Sequence, residues 1–420
     1  MHVFPLPAGW RAGTQILVAA LLLSACHGDD DRKKRNAAAP PANDPAAPAY
    51  WPTTGWSTAT PESQGFDNGA FDTLAADTAA LMPQYTSLLV IKDGYLVFES
   101  YHSPDGGTTV IDADTKQSLW SVTKSVMSMT FGTAWTRGDL LAADLDARIE
   151  DVFPLQVGDL AADAGQRDIT LRDTLQMRSG LRWNEAWDFT LESPLFYNDP
   201  ACPDDDEVTV CTVLHRAQTY APGTVWNYST WDSYLAAGFF RQLTGTPLRD
   251  YAGTHLFAPL GIDYSAVDDW ANWPTSSDYT FGGALLVLTS RDMARLGLLM
   301  LYDGQWDGAR ILSPEWLELS LTPIGYDDAA LFDAGSTPVA GEPAGSAETW
   351  IPYSFQWWHS ADVGDMPGDT LSAHGLFGQW IYIDPARELV IVLTNAINGT
   401  PSPFTEIQAF VDSEILAKLD

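Results

Sequence analysis

"TSLLVIKDGYLVFESYH", residues 86–102, sets two β-prone runs on either side of Lys92-Asp93-Gly94, the turn chemistry of a hairpin. The design returns near the other end of the chain in "GQWIYIDPARELVIVLT", residues 378–394, with its turn at Asp384-Pro385. Between these strand-rich ends the apolar spacing becomes helical: 121–136, 170–178, 231–244, 247–257 and 290–302 read as helices, and 404–418 adds a last one. In 290–302, Met293, Leu296, Leu298 and Leu299 gather around one side. The pattern predicts an α+β fold, with one antiparallel sheet built from both chain ends, flanking helices and an inserted, mainly helical lobe. The α/β lobe is expected over about residues 50–135 and 285–420, and the helical lobe over about 136–284.

The chain has 420 residues, 45% of them hydrophobic and 17 of them Trp, enough to bury a large core. Its 22 Lys and Arg against 55 Asp and Glu give a formal net charge of -33. A polyanion is repelled by such a surface, so no nucleic-acid partner is expected. The acid keeps the protein soluble; attraction of cationic substrates is the sharper alternative.

Arg11 precedes an apolar run from Ile16 that closes on Leu23-Ser24-Ala25-Cys26, too short to span a bilayer and ending in small residues. Residues 1–25 read as an export signal, and 26–49, charged and then rich in Ala and Pro, as a flexible tether to a folded body of residues 50–420. Besides Cys26 only Cys202 and Cys211 occur, and in an exported chain this remaining pair reads as one disulfide. No Cys/His cluster has metal-ligand spacing and no Gly-rich phosphate loop is present, so no metal or cofactor is expected.

Three stretches carry candidate chemistry. In "LWSVTKSVMS", residues 119–128, Ser121 and Lys124 share one helix face, where a neutral Lys can take the Ser proton and the helix start offers N–H groups to an oxyanion. The alternative is Ser121 as a helix cap with Lys124 in solvent. In "PGTVWNYS", 222–229, Tyr228 beside an ammonium can act as base and then as acid, or can be a packed aromatic. In "SAHGLFGQWIYIDP", 372–385, Gly375 permits close approach of an edge strand, the N–H of Leu376 can join that of Ser121 in an oxyanion hole, and His374 can orient a substrate carboxylate or merely begin a strand.

Together these elements resemble the serine β-lactamase and penicillin-binding superfamily, in its class C β-lactamase-like branch, which includes esterases, D-amino-acid peptidases and 6-aminohexanoate-dimer hydrolases. "DITLRDTLQMRSGLRW" (168–183), "THLFAPLGI" (254–262) and "GGALLVLTSRDMARLGLLMLYDGQWDGARILSPEWL" (282–317) look like further landmarks of that branch. By this resemblance Ser121 is the acylated nucleophile, Lys124 its partner, Tyr228 the Tyr of Tyr-x-Asn and Ala373-His374-Gly375 the Lys-Thr-Gly strand, with the Leu376 backbone as second oxyanion donor. Cys26 resembles a lipoprotein cleavage site, which implies a lipid-anchored protein of the bacterial cell envelope.

Two departures bear on substrate. Thr230 stands where the family's Asn meets substrate amides, and Ala373 where a Lys helps hold the β-lactam carboxylate. A small ester or linear amide is therefore the expected substrate. A D-amino-acid carboxypeptidase or β-lactamase, or a degenerate ligand-binding domain, are the alternatives. Two further features border this region: Asp204, Asp205, Asp206 and Glu207, able to hold a substrate amine, and Trp357-Trp358, which read as pocket wall or core.

Overall fold

The computed structural model describes residues 47–158, 160–161, 164–183, 185, 208–272, 278–322, 353–359, 370–396 and 404–419. Cys26, Cys202, the acidic run 204–207 and nearly all of the 26–49 tether lie outside these described residues.

The first hairpin joins Tyr85–Lys92 (β1) to Tyr95–Tyr101 (β2). Its turn residues Asp93 and Gly94 have φ of 52° and 82°, and this left-handed pair is what the twist of a two-residue hairpin demands. Gln117–Ser118 (β3) pairs with Val287–Leu288 (β4), and Gln305–Trp306 (β5) with Ala309–Arg310 (β6), as two small satellite ladders. Tyr353–Ser354 (β7), Trp357–His359 (β8), Leu371–Gly375 (β9), Gln379–Asp384 (β10) and Leu389–Asn395 (β11) complete the set. The main sheet has seven strands in the order β2-β1-β11-β10-β9-β8-β7, every pairing antiparallel. Its centre is made by the two chain ends, with Leu88 opposite Leu393 and Ile381 opposite Val392.

Both faces of this sheet are buried, which is why "LVIVLT" is apolar without alternation. One face, through Leu89, Ile91, Val390 and Val392, joins the main core. The other, through Leu88, Val90, Trp380 and Ile391, packs under Phe71 from the turn before helix Leu74–Leu81, Leu74 of that helix, and Phe410 and Val411 of helix Phe404–Glu414.

The expected helices form at 122–137, 230–244, 248–252 running on through 257, and 290–301, while 170–178 shortens to Leu171–Leu175. Among the described residues, no strand of the main sheet falls between Tyr101 and Tyr353. Ser290–Leu301 is buried at every position but Arg291, and Gly297 lets it lie so close to β11 that a Cβ there would come within 2.6 Å of Val390.

Helix Val122–Arg137 is buried at every position from Val122 to Ala134. Part of its buried polar content is satisfied within the helix. Thr130, Thr133 and Thr136 donate their hydroxyls to the carbonyls four residues back. Gly132 admits the indole of Trp316, whose ring atoms would lie 2.4 Å and 2.5 Å from an added Cβ. Gly132→Ala is therefore expected to destabilise the protein: overpacking costs about 1–3 kcal/mol, against about 0.5–1 kcal/mol gained by Ala over Gly in a helix. A urea midpoint equal to or above that of the wild type would contradict this packing.

Candidate active site

Ser121 stands immediately before this helix with φ -71° and ψ -8°, and its side chain makes no capping hydrogen bond. It is half-buried. Lys124 is not in solvent, as the capping alternative required; it is 1% exposed. Its Nζ donates to Ser121 Oγ at 3.0 Å, to Thr230 Oγ1 at 2.9 Å and to the Gly283 carbonyl at 2.9 Å. Burial pushes the Lys124 pKa down to about 8, with the nearby Glu185 charge acting in the opposite direction. Near neutral pH about a tenth of this amine is therefore able to accept a proton, and about half at pH 8.

Tyr228 reaches the site from the turn before helix Thr230–Thr244. Lys124 Nζ lies 5.0 Å from the centre of its ring. The turn is held to the 177–181 loop: Asn227 N–H donates to the Met177 carbonyl at 2.9 Å, and buried Asp232 accepts from Ser179 N and Oγ at 3.1 and 2.6 Å. Desolvation raises the Asp232 pKa to about 7.

The adjacent tryptophans part company. Trp357 enters the main core, while Trp358 stacks on Tyr228 at 5.3 Å and 26°. Trp358 also stacks on His374, at 5.5 Å and 15°. A Tyr228–Trp358–His374 ladder results.

His374, read either as orienting a substrate carboxylate or as beginning a strand, lies within β9 and is partly exposed. Its Nε2 is 2.8 Å from Ser372 Oγ, and burial pushes its pKa down to about 3, so the ring is neutral. It braces Trp358 and does not bring a positive charge to a carboxylate. Thr230 also departs from its expected role. It is fully buried, and its hydroxyl is engaged by Lys124 and Glu185, not presented to a substrate amide.

β9 is not the edge strand that was expected, because the short β7–β8 hairpin extends the sheet past it. β8 pairs only with Leu371 and Ser372, however, so the Ala373–Gly375 end runs on beyond that ladder. There Gly375 meets the segment before Ser121, and a Cβ on it would sit 2.3 Å from the Leu119 carbonyl oxygen. Only glycine fits, so the strand that leads into Leu376 runs against the segment that leads into Ser121.

Bulky residues in the left-handed region mark the same place. Trp120 (φ 48°) precedes Ser121, Phe377 (φ 68°) follows Leu376, and their rings meet at 5.4 Å. Leu285 (φ 71°), 40% exposed, lies between Gly283 and Leu286, whose carbonyl binds Leu119 N–H. Backbone strain concentrated this way is characteristic of functional sites.

Glu185 was not foreseen. Its carboxylate accepts from Thr230 Oγ1 at 2.6 Å, from Thr230 N–H at 3.0 Å and from the Trp183 indole N–H. The cue available in the sequence was its place just after the "RSGLRW" landmark. The Cys202 end of the expected disulfide lies outside the described residues, whereas Cys211 is buried in helix Val208–Leu214. Among the described residues no His, Cys, Asp and Glu cluster is arranged to hold a metal ion.

The family model described as Beta-lactamase matches residues 80–412. A curated relative, the 6-aminohexanoate-dimer hydrolase of Paenarthrobacter ureafaciens, is 30% identical over 194 residues, covering 46% of this chain and 43% of that protein. The match thus spans less than half of the relative's length. Among solved structures, a penicillin-binding protein homolog from Caulobacter crescentus has a TM-score of 0.61 at 17% identity, over 84% of this chain and 97% of its own. EstCE1, titled a hydrolase with promiscuous acyltransferase activity, has a TM-score of 0.59 at 16% identity, over 82% and 98%.

Proposed function

Because the chain belongs to the Beta-lactamase family, we propose that it is a serine hydrolase that cleaves a small ester or linear amide through an acyl-enzyme. The observation that carries this reading is the 3.0 Å bond from buried Lys124 to the half-buried Ser121 hydroxyl. Lys124 takes the Ser121 proton as Oγ attacks the carbonyl carbon, and the N–H groups of Ser121 and Leu376 receive the oxyanion. The tetrahedral adduct then collapses. The leaving group departs with a proton delivered from the Lys124–Tyr228 pair, and water hydrolyses the Ser121 ester by the reverse sequence.

The substrate class follows from what lines the site. Ala373 is fully buried and His374 is neutral, so the β9 strand offers no cation for a β-lactam carboxylate. Short esters and linear amides need none. The test is turnover of short p-nitrophenyl esters and linear oligoamides beside penicillins, with exact masses recorded. Faster turnover of penicillin than of every ester and amide would reverse the substrate assignment.

We further propose that the protein is exported and anchored by lipid at Cys26, with Cys202 and Cys211 paired. The full chain expressed in a bacterial host is expected in the membrane fraction, and Cys26→Ser in the soluble fraction, with neither Cys202 nor Cys211 alkylated before reduction. Equal partition of the two proteins would remove the anchor.

A further inference from the structure

The buried amine at the centre of the site has a directional problem. As a neutral base Lys124 has two N–H bonds and one lone pair, but three oxygens surround its Nζ: Ser121 Oγ, Thr230 Oγ1 and the Gly283 carbonyl. Catalysis requires the lone pair to face Ser121. A carbonyl can only accept, so Gly283 takes one N–H. A hydroxyl can donate or accept, so Thr230 could capture the lone pair with its own proton and leave Ser121 as the acceptor of the second N–H.

Glu185 removes that ambiguity. A carboxylate only accepts. It lies 2.6 Å from Thr230 Oγ1, within the range of charge-assisted O–H···O⁻ bonds, so the Thr230 proton belongs to Glu185. Its other oxygen is held by Thr230 N–H and by the Trp183 indole, which lock the carboxylate in place. Thr230 Oγ1 is left as an acceptor toward Lys124. The two N–H bonds then go to Thr230 and Gly283, and the lone pair faces Ser121.

We propose that Glu185, acting through Thr230, is a positioning residue that aims the Lys124 lone pair at the Ser121 hydroxyl. In the first step the Ser121 O–H electrons become the new bond to the acyl or phosphoryl centre while its proton joins the Lys124 lone pair. The same arrangement makes Thr230 the receptor of a Lys124 N–H, which accounts for a short hydroxyl residue at this position. The groups facing Lys124 are Ser121 on its own helix, Tyr228 and Thr230 at the start of helix Thr230–Thr244, Gly283 from the segment before β4, and Glu185 behind Thr230. Of these only Tyr228 and Glu185 carry ionisable side chains. Asp232, farther along the same helix, is turned to Ser179.

The proposal rests on the serine-hydrolase reading, and its test separates the two. A fluorophosphonate phosphonylates a reactive serine with loss of fluoride whatever the natural substrate. Its rate of attachment to Ser121 is to be followed by mass spectrometry from pH 5 to 10 in the full chain. Glu185→Gln loses both the charge and the obligate acceptor. We expect its plateau rate to fall about 10–100-fold and its acid limb to move to lower pH by about one unit, since a negative charge near Lys124 is gone.

Thr230→Val is expected to show a similar plateau loss, and Thr230→Ser to stay within about threefold of wild type, because it keeps the hydroxyl. Melting curves identify any variant that fails to fold, and the Thr230 pair carries the test without Glu185→Gln. Wild-type plateaus in Glu185→Gln or Thr230→Val, or an unmoved limb in Glu185→Gln, overturn the proposal while the hydrolase reading stands. A wild-type chain that takes no label at Ser121 overturns both.

Discussion

Ser121→Ala is expected to lose turnover of its best ester or amide by about 10⁴-fold, with no acyl adduct detectable by mass. The expectation is specific because this serine contributes nothing else that can be seen. It is half-buried, its hydroxyl does not cap the helix it precedes, and its side chain accepts from the Lys124 amine. Replacing a capping serine by Ala would cost about 1 kcal/mol. Here the melting midpoint should stay at its wild-type value while the chemistry disappears. A variant with wild-type turnover would end the nucleophile assignment, and one that lost stability along with activity would restore the capping role.

Lys124→Met should cost about 10³-fold in kcat, within the range for removal of a general base. The side chains have similar length, so the buried volume is kept while the proton acceptor is lost. The wild-type pH profile supplies the second readout. With a pKa near 8, Lys124 is protonated and without a lone pair below that pH. The rate should therefore climb about tenfold per pH unit up to about 8 and level off above it. The residual activity of Lys124→Met should lack this limb. A wild-type profile flat through pH 8, or a limb retained in the variant, would move the proton-acceptor role to Tyr228.

The sheet and the Ser-Lys pair are legible in the sequence for a simple reason: both are local patterns. Hairpin residues at 92–94 and apolar runs at 86–91 and 389–393 announce strands without reference to the rest of the chain. Ser121 and Lys124 meet because three residues of helix bring them to one face. What escaped the sequence depends on contacts between distant segments. Glu185 matters through Thr230, 45 positions away, and no periodicity connects the two. The β7–β8 hairpin is two and three residues long, too short to alternate visibly, so "FQWWHS" announced aromatics and not the strands that displace β9 from the edge. His374 illustrates a third limit. Its charge is decided by burial, which is not written in its neighbours.

The pairing of β1 with β11 also sets the order of events in synthesis. Leu88 waits for Leu393, with roughly 300 residues of chain to close between them as a loop. Pairings at such separation form slowly and late. Until the last strand emerges, the first hairpin keeps one open edge, and its buried residues Leu88 and Val90 have only the Phe71 and Leu74 side of their cover, without Phe410 and Val411. The Gly375 approach to Leu119, just before Ser121, belongs to the same late segment. On the proposed serine-hydrolase reading, a nascent chain therefore carries both Ser121 and Lys124 before the acylating centre is complete, and completion awaits docking of the C-terminal strands.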